Sequence, residues 1–368
     1  MLPCVSEIRS GSVVAFYLFD VAESADLQGV PALISGSTVP SRLAPKPATP
    51  AYVQYDRPPL SFDGEAVGIG DIEGFRTRVR IYDYGVISVA LVRPFEGNWS
   101  DLVVLGQTFI ENPELEQGAE QLCRVVIDRL RPALVHGRDT FLSEDYVVFT
   151  VNTLAEPISG DQLLATRGEA IAALLRAERQ ALSLQEKQRV LEHRISYLAD
   201  DLVVPTWNAA FVYDTPAGAQ AALDIIEFAN SQLLEYRHYD ERLDDELAVI
   251  YAKLKRPRWY DKWIGSSYSR AAREVHAIFI DVNELTDRTQ NALKFIGDIY
   301  AVRLFGLVGD RLGLDKWKAE VEGKLKTVDD IYRFAVEQSQ MSRGHGLEVM
   351  VVLILVFELV LFFAGVMD

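Results

Sequence analysis

The chain ends in an almost unbroken apolar run, residues 347–366, whose only charged side chains are Glu348 and Glu358. A helix of about 20 apolar residues is long enough to cross a bilayer. Basic residues such as Arg333 and Arg343 precede the run and none follows it, which favours a cytoplasmic location for the folded part. The run therefore predicts a tail-anchored, single-pass protein of the cell membrane; a buried core helix is the alternative.

Glu358 lies midway along this predicted transmembrane helix, where an ionised carboxylate is unfavourable. Three interpretations are open. The carboxyl is protonated and hydrogen-bonds to a neighbouring span, or it is tolerated by tilting toward an interface, or it belongs to a proton or ion pathway in an assembly. The first interpretation predicts a homo-oligomer in the lipid bilayer, with Glu348 and Glu358 as anchor and oligomer contacts.

Apolar residues recur in alternating steps of three and four along four segments after Gly160. The four patterns begin at Leu174, Ala219, Val275 and Leu314. Such heptads are typical of long helices that pack side by side. A strand-like stretch, residues 202–214, separates the first two patterns. Residues 161–342 are thus predicted to form long antiparallel, coiled-coil-like helices, through which copies of the chain associate.

Two charged residues, Asp240 and Lys324, interrupt these apolar patterns. A carboxylate on a buried seam needs a cation from a facing helix, and Arg303 is a candidate partner for Asp240. We interpret Asp240 and Arg303 as a contact that sets the helix register. The alternative is a catalytic or metal-binding role within the charged cluster at residues 235–247.

The first 160 residues have the pattern of an α+β domain. Residues 31–59 are rich in proline and predict an extended loop. Residues 76–92 alternate in a way that predicts a hairpin or two neighbouring strands, and residues 113–135 predict an amphipathic helix. The complete fold class is therefore an α+β domain at 1–160, a long helical region and one C-terminal transmembrane helix.

Composition narrows the possible functions. A net charge of −16 disfavours direct binding to nucleic acid, because such binding neutralises phosphates with Lys and Arg. The two cysteines and five histidines form no metal-ligand spacing, and no phosphate-binding or nucleophile motif is present. The sequence thus predicts no catalytic, cofactor-binding or metal-binding residues.

Several motifs resemble the family called "required for meiotic nuclear division", also known for a Sad1-interacting factor, in its bacterial form. They are Tyr84, Gly85 and Val86 in the N-terminal domain, the LGLDKW segment at 312–317, and Leu347, Glu348 and Glu358 in the tail. The tryptophan common after Leu-Glu in that family is Val349 here. The resemblance implies a membrane-anchored, self-associating protein, and no catalytic residue follows from it.

These patterns lead to two hypotheses about function. The first is a membrane-anchored, self-associating scaffold or tether without catalytic activity. The second is an enzyme or small-ligand sensor with a pocket in the N-terminal domain around Tyr82, Asp83 and Tyr84. Converging carboxylates in a deep cavity would favour the second hypothesis, and a filled core would favour the first.

Overall fold

The structure of the protein is a computed structural model. It describes residues 7–34, 39–40, 58–64, 67–69, 72–255, 279–280, 282–283, 299–331, 333, 351–352 and 354–356. The chain divides into two compact units. The first unit comprises Met1–His238 and Leu285–Lys316, and the second comprises Tyr239–Glu284 and Trp317–Asp368.

The first unit is built on a mixed sheet, which has nine strands within the described residues. Its strands are β1 (Ile8–Asp20), β3 (Val39–Pro40), β4 (Leu60–Asp63), β5 (Val67–Ile69), β6 (Ile72–Ile81), β7 (Val86–Gly97), β9 (Ser143–Leu154), β10 (Leu202–Pro205) and β11 (Ala209–Tyr213). They lie in the order β10-β11-β9-β1-β7-β6-β4-β3, with β5 beside β6. Within the described residues, β9 and β11 are the only strands that pair in parallel. Two short strands, β2 (Ser24–Ala25) and β8 (Leu134–Val135), form a separate ribbon.

The described residues also form helices between and after these strands. They are α1 (Val30–Leu33), α2 (Trp99–Phe109), α3 (Pro113–Leu130), α4 (Gly160–Arg176), α5 (Leu184–Glu192), α6 (Pro216–Lys255) and α7 (Ile299–Leu312). The Asn112 side chain accepts hydrogen bonds from the first turn of α3, and Ser159 forms a capping box with Gln162 at the start of α4. Residues 314–331 are also helical.

Both faces of the sheet are buried. In β1, the side chains of Val13, Ala15 and Phe19 join an apolar core to which α2, α3 and α4 also contribute. Val14, Phe16 and Leu18 point to the opposite face, since side chains alternate along a strand, and they are also buried. Helix α6 lies against this second face, as the contacts described below show.

The turn between β6 and β7 is held tightly against the end of β1. Gly85 adopts φ +84°, and a Cβ atom there would lie 2.0 Å from the carbonyl oxygen of Ala22. The Val21 amide donates to the Gly85 carbonyl at 3.1 Å, and the Ala25 amide donates to that of Asp83 at 2.9 Å. Only glycine combines this left-handed backbone with so close an approach.

The predicted fold class is wrong in its division between a small α+β domain and a coiled-coil region. Strands β10 and β11 follow residue 160 and pair with the same sheet as β1. The first heptad pattern is split between α4 and α5, since Ala177 is left-handed and ends α4. No long coiled coil is present among the described residues. The buried positions of α4 and of the first half of α6 cover the sheet.

The predicted transmembrane helix, tail anchor and cell-membrane location are also corrected. Across the described part of the chain, no helix is both long and apolar enough to cross a bilayer. Of the run at 347–366, the structure describes residues 351–352 and 354–356, which are helical. Glu348 and Glu358 lie outside the described residues.

Candidate functional site: a buried charged layer under helix α6

Polar side chains form a stripe along the first half of α6. Gln220, Asp224, Glu227, Ser231 and His238 follow one another at intervals of three, four or seven residues. This spacing places them on one face of the helix. Asp224, Glu227 and Ser231 are buried, so the helix presents a charged rather than an apolar face to the sheet.

Arginine side chains on strand β6 face this polar stripe of α6. Arg76, Arg78 and Arg80 alternate with Thr77 and Val79, so all three arginines lie on the face toward α6. Arg80 is buried, Arg78 is half-buried and Arg76 is exposed. We call Arg78, Arg80, Gln220, Asp224 and Glu227 the charged layer.

Arg80 is the centre of the charged layer. Its Nη2 lies 2.7 Å from Oδ1 of Asp224 and its Nη1 lies 2.6 Å from Oε2 of Glu227. Burial alone would lower the pKa of Arg80, but the charges of Glu227 and Asp224 outweigh that effect and raise the pKa well above its usual value. Arg80 is therefore a permanent cation that joins the sheet to the helix.

Arg78 is connected to the same group through Gln220. Nη1 of Arg78 donates to Oε1 of Gln220 at 3.1 Å, and Nε2 of Gln220 donates to Oδ1 of Asp224 at 2.9 Å. The Nε and Nη2 atoms of Arg78 are shielded from solvent and have no hydrogen-bond partner. Each such buried donor costs about 1–3 kcal/mol when it is left unpaired.

The predicted pocket region around Tyr82, Asp83 and Tyr84 lies next to the charged layer. The rings of Tyr82 and Tyr84 are stacked with centroids 5.1 Å apart. The Tyr84 hydroxyl lies 2.7 Å from Oγ of Ser231 on α6 and accepts a hydrogen bond from Gln232. Burial, followed by the neighbouring Tyr82, raises the pKa of Tyr84. Tyr84 is thus a neutral contact between the β6–β7 turn and α6.

A second buried group lies at the end of β1. Arg138 forms an ion pair with Asp20, and its Nη2 lies 2.9 Å from Nε2 of His238. Nδ1 of His238 lies 2.9 Å from Oδ2 of Asp20. Because arginine only donates, Nε2 of His238 is the acceptor in its contact with Arg138. His238 therefore links the loop residue Arg138 to β1.

A third link joins β9 to α6. Glu144 forms an ion pair with Arg237. Burial raises the pKa of Glu144, and Arg237 lowers it in part. The first half of α6 is thus held by ionic contacts to β1, β6 and β9.

Other parts of the described chain have fewer buried polar or ionisable side chains that could form a functional site. A groove of about 1000 Å³ between α4 and α5 is lined by Leu164, Gly168 and Leu191 with charged side chains at its rim. No group of three His, Cys, Asp or Glu side chains in the described ranges could hold a metal ion. Cys123 is buried, which raises the pKa of its thiol. The charged layer is therefore the candidate site.

The structure gives the following positions for the other predicted site residues. Asp240 pairs with Lys324, whose Nζ lies 2.8 Å from Oδ1 of Asp240 and 2.7 Å from Oδ1 of Asp244. Arg303 is an exposed residue of α7. Asp240 and Lys324 are the two charges that interrupt the apolar patterns, and each is the other's partner.

Sequence reasoning missed the charged layer. Two signals for it were present: the alternation of Arg76, Arg78 and Arg80, and the helical spacing of Asp224, Glu227 and Ser231. Each signal alone is typical of a solvated face. Only their combination indicates that a charged strand face and a charged helix face meet.

The fold and its charged layer define a mixed α/β protein in which buried ion pairs between side chains join the sheet to a long helix. The chain belongs to the family described as "Uncharacterized protein MJ0711, N-terminal domain", whose model matches residues 10–220. Uncharacterized protein MJ0711 of Methanocaldococcus jannaschii is 23% identical over 288 residues, which cover 78% of this chain and 82% of that relative. No solved structure matches the chain. The predicted membership of the meiotic nuclear division family is therefore wrong.

Proposed function

We propose that this protein is a non-enzymatic scaffold that associates with further copies of itself. One observation carries the proposal: the helical residues Val351, Val352, Ile354, Leu355 and Val356 are each more than half exposed. Large apolar side chains that lie together on a surface mark an interaction site.

The directions of these side chains favour identical copies as the partner. Successive residues of a helix are rotated by about 100°, so five apolar residues within six positions surround the helix axis. A helix that is apolar on every side needs cover on more than one side. Several copies of the same helix cover one another when they meet around a symmetry axis, and closed homo-oligomers are the commonest assemblies.

The charged layer supports a structural rather than a catalytic role for the first unit. Both Nη atoms of Arg80 are engaged by carboxylates at 2.6–2.7 Å. The Tyr84 hydroxyl is likewise engaged by Ser231 and Gln232. Charges that neutralise each other between sheet and helix hold the fold together.

The mass of the full-length protein in solution tests the proposal. Light scattering coupled to size-exclusion chromatography should give an oligomer for the unmodified chain and a smaller mass for Leu355→Lys. Leu184→Lys is the matched control, because Leu184 is an exposed leucine on α5. A monomeric unmodified chain, or an equal effect of both substitutions, would contradict the proposal.

A further inference from the structure

One edge of the Arg78 guanidinium group has no hydrogen-bond partner. The Nε and Nη2 hydrogens of an arginine point in the same direction and form a fork for two oxygen atoms. Both atoms lack a hydrogen-bond partner in Arg78, and both are shielded from solvent. The remaining Nη1 is held by Gln220 at 3.1 Å, which fixes the orientation of the group.

The same edge binds a carboxylate elsewhere in this protein. In Arg124, Nε and Nη2 lie 2.9 and 2.6 Å from Oε1 of Glu120. In Arg176, the same two atoms lie 2.9 and 2.7 Å from Oε1 of Glu186. Arg78 presents this geometry without the acid.

The neighbours of Arg78 add further free donors. Nε of Arg80 and Oγ of Ser88 are also buried without a hydrogen-bond partner. Ser88 lies directly opposite Arg80 in the β6–β7 ladder, and Arg78 is two residues from Arg80 on the same strand face. The β6–β7 ladder thus places these residues, with their unpaired N–H and O–H groups, at neighbouring positions on one face of the sheet. Such a concentration of donors suits an anion.

The charges around Arg78 limit the anion to one negative charge. Arg76, Arg78 and Arg80 face Asp224 and Glu227 from α6, and the exposed Asp63 lies opposite Arg78 on β4. These three positive and three negative side chains are equal in number. A doubly charged phosphate is therefore less favourable at this place than a single carboxylate.

We propose that Arg78 binds the carboxylate of a small organic acid through its Nε and Nη2 hydrogens. Arg80 and Ser88 lie beside the bound group and contribute donors. This proposal does not depend on self-association.

A titration of the full-length protein with acetate tests this site. In a 15N spectrum of the arginine side chains, the Nε–H signal of Arg78 should shift saturably as acetate is added at constant ionic strength, with chloride as the blank. Arg78→Lys keeps the charge but loses the fork, so acetate affinity should fall by roughly tenfold or more. Arg76→Lys is the matched control, because Arg76 is exposed on the same strand face, and it should change affinity by less than about twofold.

Three results would overturn the proposal. The first is an Arg78 signal that does not shift when acetate is added, as expected if ordered water alone occupies the fork. The second is equal acetate affinity of the Arg78→Lys and Arg76→Lys variants. The third is a shift of the Arg78 signal by inorganic phosphate at a lower concentration than by acetate, which would show that the assigned ligand class is wrong. The signal is measured in the unmodified chain, so the test stands even where Arg78→Lys folds poorly.

Discussion

Helix α6 carries two ionic contacts of the same design in different surroundings. In the first unit, Arg80 lies between Asp224 and Glu227, and the three side chains are 4%, 4% and 1% exposed. In the second unit, Lys324 lies between Asp240 and Asp244. The exposed fractions of these side chains are 18% for Lys324, 14% for Asp240 and 62% for Asp244. Each contact is one cation between two carboxylates one helical turn apart.

Because the two contacts have similar distances, we expect burial rather than geometry to determine how much each one stabilises the protein. The ion-pair distances are 2.6–2.7 Å in the first group and 2.7–2.8 Å in the second. Ionic groups without access to water depend on each other completely, whereas water replaces much of the lost interaction at a partly exposed pair. Arginine also reaches two acids through separate nitrogens, while lysine offers one.

The largest expected effect follows from removing the buried cation. Arg80→Met leaves Asp224 and Glu227 buried without a positive partner, so the free energy of unfolding should fall by about 3–5 kcal/mol. Urea unfolding followed by circular dichroism measures this loss.

Two further variants sharpen that result. Arg76→Met removes an exposed arginine from the same strand face and should change the free energy of unfolding by less than about 0.5 kcal/mol. A triple variant, Arg80→Met with Asp224→Leu and Glu227→Leu, should recover much of the loss, because no unpaired charge remains. A loss below about 1 kcal/mol for Arg80→Met would show that water reaches the charged layer.

The second contact should matter less and should depend on alkaline pH. Lys324→Met is expected to lower the free energy of unfolding by about 1 kcal/mol or less at neutral pH. Burial lowers the pKa of Lys324, but Asp240 and Asp244 raise it overall above its ordinary value of 10.5. The stabilisation is therefore complete below pH 10.5 and is lost as the pH rises through the pKa of the folded state.

Urea unfolding at a series of pH values measures this difference. The gap between the unmodified chain and Lys324→Met should close above pH 10.5, while the gap for Arg80→Met should persist, since the pKa of Arg80 is raised well above its ordinary value. A Lys324 contribution that does not change with alkaline pH would mean that lysine packing, not its charge, stabilises the second unit.

The two contacts also differ in how far the sequence revealed them. Asp240 interrupts an apolar heptad, and a charge at such a position predicts a partner of opposite sign. The pattern does not say which cation lies opposite, because heptad positions define a face and not a register between distant segments. Arg303 and Lys324 were equally compatible with it, and Lys324 is the partner in the structure.

The sheet was harder to predict than its strands. Residues 76–92 have the pattern of two neighbouring strands, and strands β6 and β7 lie there. Apolar spacing along α4 and α6 is the same whether a helix packs on another helix or on a sheet, so the pattern alone predicts a coiled coil as readily as a helix on a sheet. Long-range pairing, such as that of β9 with β11, leaves no local signal in the sequence.

The smallest expected effect separates the two acids that share Lys324. Asp240→Asn removes the less exposed carboxylate and should lower the free energy of unfolding by about 0.5–1 kcal/mol, whereas Asp244→Asn should cost less than about 0.3 kcal/mol. Both substitutions conserve shape, both residues lie on α6 one turn apart, and both acids are within 2.8 Å of the same Nζ atom. Their difference therefore isolates the effect of solvent exposure. Equal losses in urea unfolding would contradict the view that burial sets the strength of ionic contacts along α6, and a larger loss for Asp244→Asn would reverse it.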